Sequence, residues 1–169
     1  MHKIVAALLL CLCSANALAE RLYKVELLLF RQGPQSTELS KIAPDDWAGT
    51  ALPIAGTESP TSLNQEASKL TQANGYQVLL HQAWSQASNS RSALTSGAYQ
   101  MGHYPVAGTV HLSGNELPGI NAEFWLNHFA ESGVLAGSEQ FKVSQALKDN
   151  TLTYFDHGSL GALVRITAQ

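Results

Sequence analysis

Cysteine is nearly absent. The chain holds two in 169 residues, Cys11 and Cys13, and two cannot build a disulfide-dense scaffold or a cysteine-rich zinc site. Charge is scarce too, at 14% of residues, and it nearly balances. Ten Lys and Arg against 13 Asp and Glu give a net charge of −3, so the basic surface of a nucleic-acid binder is missing. No apolar run reaches the roughly 20 residues that a membrane-spanning helix needs. What the chain does have is apolar side chain, 45% of all residues. That fraction, with so little net charge, excludes a wholly disordered chain. The length suits one domain with a real hydrophobic core.

The N-terminus has its own pattern. Met1-His2-Lys3 is a short basic start, Ile4 to Leu12 is an apolar run of nine, and Ala17-Leu18-Ala19 places small residues at −3 and −1 before Glu20. This is the pattern of a secretory signal peptide, with cleavage expected after Ala19. Leucine precedes each cysteine, which argues against a lipidation site. Loss of residues 1–19 removes both cysteines and Lys3. It leaves 150 residues, 20–169, as a single domain with a net charge of −4. Such a chain folds in an oxidising compartment without any disulfide.

Along the mature chain, LYKVELLLFR (22–31) alternates Tyr23, Val25, Leu27 and Leu29 onto one face, with Leu28 and Phe30 on the other. The pattern predicts a central strand covered on both sides. Residues 33–60 carry Pro34, Pro44, Pro53 and Pro60 with three glycines, and predict a long loop. Within it, Asp45-Asp46-Trp47 offers either a contact surface or a tryptophan that pins the loop to the core. Residues 62–74 predict the one main helix. Ser62 and Gln65 suit a capping box, Leu63, Ala67 and Leu70 make an apolar stripe, and Gly75 suits the C-cap. Tyr76 to Trp84 alternates as a strand, and the Ser-rich stretch 85–97 reads as a surface loop. Further strands are expected at 98–101, 106–113, 122–129, 139–145, 151–155 and 162–167, and their short spacing favours antiparallel hairpins. The expected fold is α+β: a mostly antiparallel sheet with one main helix packed on it and a long Pro/Gly-rich loop at 33–60.

Catalytic chemistry finds little footing. Asp156, His157 and Ser159 lie close in sequence, but triad members are brought together by the fold and not by adjacency. No G-x-S-x-G elbow is present, and no cysteine survives signal removal. His81, His103, His111, His128 and His157 show no metal-binding helical spacing, so no metal or other cofactor is expected. Binding fits better. Trp47, Trp84 and Trp125 can stack on sugar rings, and the low-charge, amide-rich composition supplies hydrogen-bond partners. In the FWL run, Phe124 and Trp125 must point to opposite faces.

The C-terminal segment TYFDHGSLGALVRITAQ (153–169) resembles the ending of the CsiV family of peptidoglycan-binding proteins, through Tyr154, Asp156, His157, Gly161 and Leu163-Val164-Arg165. YKVELLLFRQ (23–32) is similar to the family's first strand. GYQVLLHQAWSQ (75–86) is similar to its Gly-Tyr-x-Val-Leu-x-His-x-Ala-Trp stretch, and 108–126 to its middle. Three departures mark a divergent member. Gly158 stands where proline commonly follows Asp-His, only Lys148 is basic in 144–148, and GNELPG (114–119) replaces an Arg-Tyr-x-His type segment. The resemblance implies a periplasmic, non-catalytic protein that binds peptidoglycan. It also implies support for a class A penicillin-binding protein and its outer-membrane lipoprotein activator.

Residue type and motif match together single out His81, Trp84, Trp125 and His157 as ligand contacts, with Asp156 orienting. The indoles would be stacking platforms and the histidines hydrogen-bonding partners. Asp156 has a second reading as a turn device that bonds backbone amides two residues on. Two other functions stand beside wall binding. One is a periplasmic protein-interaction module that does not touch the wall. The other is a small envelope enzyme using Asp156 and His157.

Overall fold

A computed structural model describes residues 20–33, 41–114 and 118–169. The expected signal segment, with both cysteines, lies outside the described residues. The described elements are strands β1 (Leu22–Arg31), β2 (Leu52–Pro53), β3 (Gln77–Ala87), β4 (Arg91–Ser96), β5 (Val106–Ser113), β6 (Gly119–Phe129), β7 (Leu135–Ala146), β8 (Thr153–His157) and β9 (Leu160–Ala168), with helix α1 (Asn64–Lys69) between β2 and β3.

The strands form two sheets, ordered β3-β1-β9-β8 and β2-β4-β5-β6-β7. All pairings are antiparallel except β2 with β4. One apolar cluster joins them. Tyr23, Val25, Leu27, Leu29, Trp84, Val164 and Ile166 of the first sheet pack with Leu94, Val110, Phe124, Leu126 and Phe141 of the second. This is a β-sandwich, in which inward side chains of both sheets interdigitate. β1 lies between β3 and β9, and its outward Glu26, Leu28 and Phe30 are buried as well. The central, doubly covered strand expected at 22–31 is therefore present.

The α+β expectation is overturned. Strands make up 56% of the described residues and helix 6%, and no described helix reaches seven residues. The expected helix at 62–74 shrinks to six residues. Ser62 does not cap it, because its amide and hydroxyl are both bonded to the Glu26 carboxylate of β1. Leu63 is buried and has no side-chain cap bond as the N-cap residue. Thr71 is extended, with φ −105° and ψ 158°. A tertiary carboxylate thus replaces the local cap, and so short a helix cannot hold itself together alone. Gly75 does take the left-handed conformation, φ 81°, but it ends a 3-10 turn over Gln72–Asn74.

The Ser-rich stretch 85–97 is also not a loop. β3 runs on to Ala87 and β4 begins at Arg91, so the hairpin carries the chain from one sheet to the other. Gln86 and Ser88 are buried there because their polar groups find partners, most of them outside the hairpin turn. Gln86 accepts from Trp84 Nε1 at 2.8 Å and donates to the Val110 carbonyl at 3.0 Å. Ser88 Oγ accepts from the Arg21 amide at 3.1 Å. Hydropathy alone cannot see such satisfaction. Residues 98–101, expected as a strand, form a turn in which Met101 has φ 41°.

Much of the expected 33–60 loop is a strap over the second sheet. Lys41 bridges to Ser138 on β7, at one edge of that sheet. Leu52 and Pro53 pair with β4 at the other side. The chain between must cross the sheet. The Ala43 amide donates to the outward Ser138 hydroxyl at 3.1 Å, which sets the crossing on the outer face. Outward-facing Ala93, Ala107, Thr109, Trp125 and Asn127 are accordingly buried. Trp47 lies in the strap and is half-buried.

Candidate functional site

The outer face of the first sheet carries the densest polar geometry. Glu26 points outward from β1 and is 2% exposed. Residues 57–59 pair along β3, with the Ser59 amide donating to Ala83 O and the Ser85 amide to Thr57 O, both at 2.8 Å. The chain then turns over the sheet and delivers Ser62 and Leu63 to the carboxylate. Both backbone amides donate to Glu26 Oε1 at 2.8 Å. The Ser62 hydroxyl donates to Oε2. His81 Nε2, from β3, lies 2.9 Å from Oε1. Burial pushes the Glu26 carboxyl up, but these hydrogen bonds outweigh it and hold the group below its ordinary value. Glu26 is a saturated, ionised anchor.

Two hollows flank this anchor. On the β3 side, a cleft of about 410 Å³ is lined by residues including Ile54, Glu58, Thr61, His81, Gln82 and Thr95. The Gln82 Oε1 atom is buried and has no partner among the described residues. On the β9 side, a hollow of about 230 Å³ is lined by Lys24, Glu26, Ser62, Asn150, Arg165 and Thr167. Arg165 pairs with Glu26 in strand register, yet its Nε is buried and unpartnered among the described residues. Lys24 Nζ donates to the Pro60 carbonyl at 2.7 Å.

The opposite edge of this face holds a second cluster. Gln32 Nε2 donates to Asp156 Oδ1 at 2.7 Å, and Tyr154 OH donates to Gln32 Oε1 at 2.6 Å. The Tyr154 ring stacks on Phe30 with centroids 6.4 Å apart. Among the described residues, no group of three His, Cys, Asp or Glu side chains is placed to hold a metal ion. No described helix is long and apolar enough to cross a membrane.

A family model described as "Peptidoglycan-binding protein, CsiV" matches residues 3–62 and 53–169. The chain belongs to the CsiV family. No curated protein matches it. A chain in the cryo-EM structure of the T2SS secretin XcpQ from Pseudomonas aeruginosa is similar in fold, with a TM-score of 0.54 at 10% sequence identity. That match covers 99% of the CsiV-family chain but 63% of the other, so this chain spans less than two thirds of its length. The likeness is one of fold alone.

The CsiV-family chain does not gather its five sequence-derived candidates into one place. His81 sits beside Glu26 and borders the larger cleft. Trp84 is wholly inside the core, its Nε1 bonded to Gln86. Trp125 points away from Phe124, as alternation requires, but it is only 9% exposed on the face crossed by the strap. Neither indole has a face open to a sugar ring. Asp156 is exposed and bonds Gln32 across strands, which differs from the expected local turn bond. His157 is exposed, and its ring lies 5.6 Å from Phe141.

One register row, His81–Leu28–Leu163–Tyr154, spans the sheet. His81 therefore stands three strand spacings, about 14 Å, from the Tyr154–Asp156 cluster. Residue-type reasoning passed over Glu26, Ser62, Lys24 and Arg165. The available signal was Glu26 itself, a charge inside the apolar run VELLLF at a position the strand pattern buries.

Proposed function

We propose that this protein is a non-catalytic periplasmic accessory factor that binds peptidoglycan and supports a class A penicillin-binding protein together with its outer-membrane lipoprotein activator. The observation that carries the wall-binding part is the family match, which reaches from residue 3 to residue 169. The site chemistry supports it. His81 and the Thr61, Gln82 and Thr95 side chains border a cleft large enough for part of a glycan. Asp156 and His157, at the far edge, are further contacts for an extended polymer. A binding role also agrees with the order of groups around Glu26. Ser62 Oγ donates to the carboxylate and not to His81, so serine, histidine and carboxylate meet without the sequence of bonds that activates a nucleophile.

Sedimentation with purified sacculi tests the wall-binding part. The protein should pellet with the wall at low salt; recovery in the supernatant would refute it. Export with cleavage after Ala19 predicts a periplasmic form that begins at Glu20, which mass spectrometry reads directly. The accessory role is read by crosslinking in the periplasm, with capture of the synthase or its activator as the expected result. Exposed Tyr99, Met101 and Val134 favour a protein contact on this molecule. Wall glycan without either protein in the crosslinked fraction would remove the accessory role. Capture of the proteins without glycan would favour the interaction module instead.

A further inference from the structure

We infer that the hollow between Lys24 and Arg165 is an anion subsite that takes a carboxylate borne on a short wall peptide. The inference rests on the wall-binding reading and assigns one chemical group to one place. Two cations line this hollow of about 230 Å³, and neither forms an ion pair among the described residues. Arg165 is half-buried and its Nε is unpartnered. A buried guanidinium N–H without an acceptor is costly, because desolvation is not repaid. Glu26 is the obvious acceptor, being its register partner, but its two oxygens are taken by Ser62, Leu63 and His81. Nearby Asp149 is also engaged, accepting from the Ala168 amide at 2.8 Å. Lys24 spends its ammonium on a neutral carbonyl.

Of the remaining lining, Asn150 and Thr167 offer an amide and a hydroxyl, while the Ser62 amide and hydroxyl are already given to Glu26. A planar carboxylate matches the guanidinium fork, and the hollow's walls lower the local dielectric that screens the pair. The volume is below that of pockets that enclose a whole small molecule. The hollow therefore grips one terminal group, while the larger cleft beyond the Thr61–Ser62 segment is left for the sugar. The wall's stem peptides end in free carboxylates, so this chemistry is available on the polymer. It also lets an acidic protein hold an acidic polymer by local contacts.

The test is calorimetric titration of the protein with soluble wall fragments that carry free carboxylates, and with the same fragments amidated. Amidation should weaken binding about tenfold or more, since a hydrogen bond to a charged group is lost. Arg165→Gln and Lys24→Gln should each weaken the free fragments by about tenfold and leave the amidated ones unchanged. Melting curves confirm folding, and Lys24, on the rim, provides the variant least bound up with the core. Equal binding of free and amidated fragments would overturn the subsite while wall binding stands. Competition by inorganic phosphate as strong as that of a carboxylate fragment would also overturn it, by reassigning the site to phosphate. Failure of every fragment and of sacculi to bind would remove both the subsite and the wall-binding reading.

Discussion

Arg31 and Glu139 meet fork to fork across the sandwich, with Nη2–Oε1 at 2.8 Å and Nη1–Oε2 at 3.1 Å. Arg31 ends β1 of the first sheet and Glu139 lies on β7 of the second, so the pair closes one end of the core. His128 Nε2 at 3.0 Å and Ser159 Oγ at 3.1 Å complete the carboxylate's partners. The side chains are 12% and 6% exposed. Breaking such a pair from one side leaves a charge with little water to solvate it. Arg31→Ala should therefore lower stability by about 3 kcal/mol, measured by urea denaturation. A loss below about 1 kcal/mol, the range of a solvated surface pair, would refute the closing role.

The same carboxylates set an acid limit. Burial pushes Glu139 up, but the Arg31 guanidinium, with His128 and Ser159, outweighs it and holds the group below 4.5. Glu26 is likewise held below 4.5 by its hydrogen bonds. A carboxyl with a depressed folded pKa gives stability that is whole above the unfolded value. The unfolded chain takes up its protons first as pH falls, and the stability is lost as pH passes through the folded values. The melting temperature should thus show no loss from these two groups above about pH 5 and should fall below about pH 4.5. Glu26→Gln and Glu139→Gln should each be less stable at pH 7 and should lose less on acidification. An acid response in both variants as steep as in the parent would exclude these two groups as its source.

Strand positions were legible wherever alternation meets burial. β1 was expected at 22–31 and is Leu22–Arg31, and β5 was expected at 106–113 and is Val106–Ser113. Two devices that act across the chain were not legible. The expected helix at 62–74 rests on a local cap, but the acceptor for Ser62 is Glu26, 36 residues away. The buried hairpin at 85–97 was hidden because Gln86 and Ser88 are polar and their bonding partners lie elsewhere. The candidate site shows the same split. His81 stands out by residue type, whereas Lys24 and Arg165 acquire meaning only when β1 and β9 lie side by side.

Gly108 marks a close approach that sequence does not reveal. It pairs with Phe124 in register. A Cβ at this position would lie 2.3 Å from Phe124 Cδ1 and 2.4 Å from the Glu123 carbonyl oxygen. The ring can swing aside at some cost in packing, but the carbonyl belongs to a ladder strand and cannot. Gly108→Ala should cost at least about 1–3 kcal/mol, as other overpacking changes do, and should lower the melting temperature. An unchanged melting temperature would mean that β5 and β6 are not held this tightly.

Trp84 separates packing from ligand contact. The indole is fully buried in the cluster that joins the two sheets, and its one polar atom is satisfied by Gln86 at 2.8 Å. Trp84→Ala should lose about 3–5 kcal/mol, the range for emptying a buried tryptophan site. Trp84→Phe keeps most of the volume but leaves Gln86 Oε1 without its donor, so a smaller loss of about 1–3 kcal/mol is expected. If the residue acts through the core alone, the folded Trp84→Phe protein should pellet with sacculi as well as the parent does. If it melts like a folded protein and yet stays in the supernatant, Trp84 touches the wall, and the closed core described by these contacts must open for the ligand.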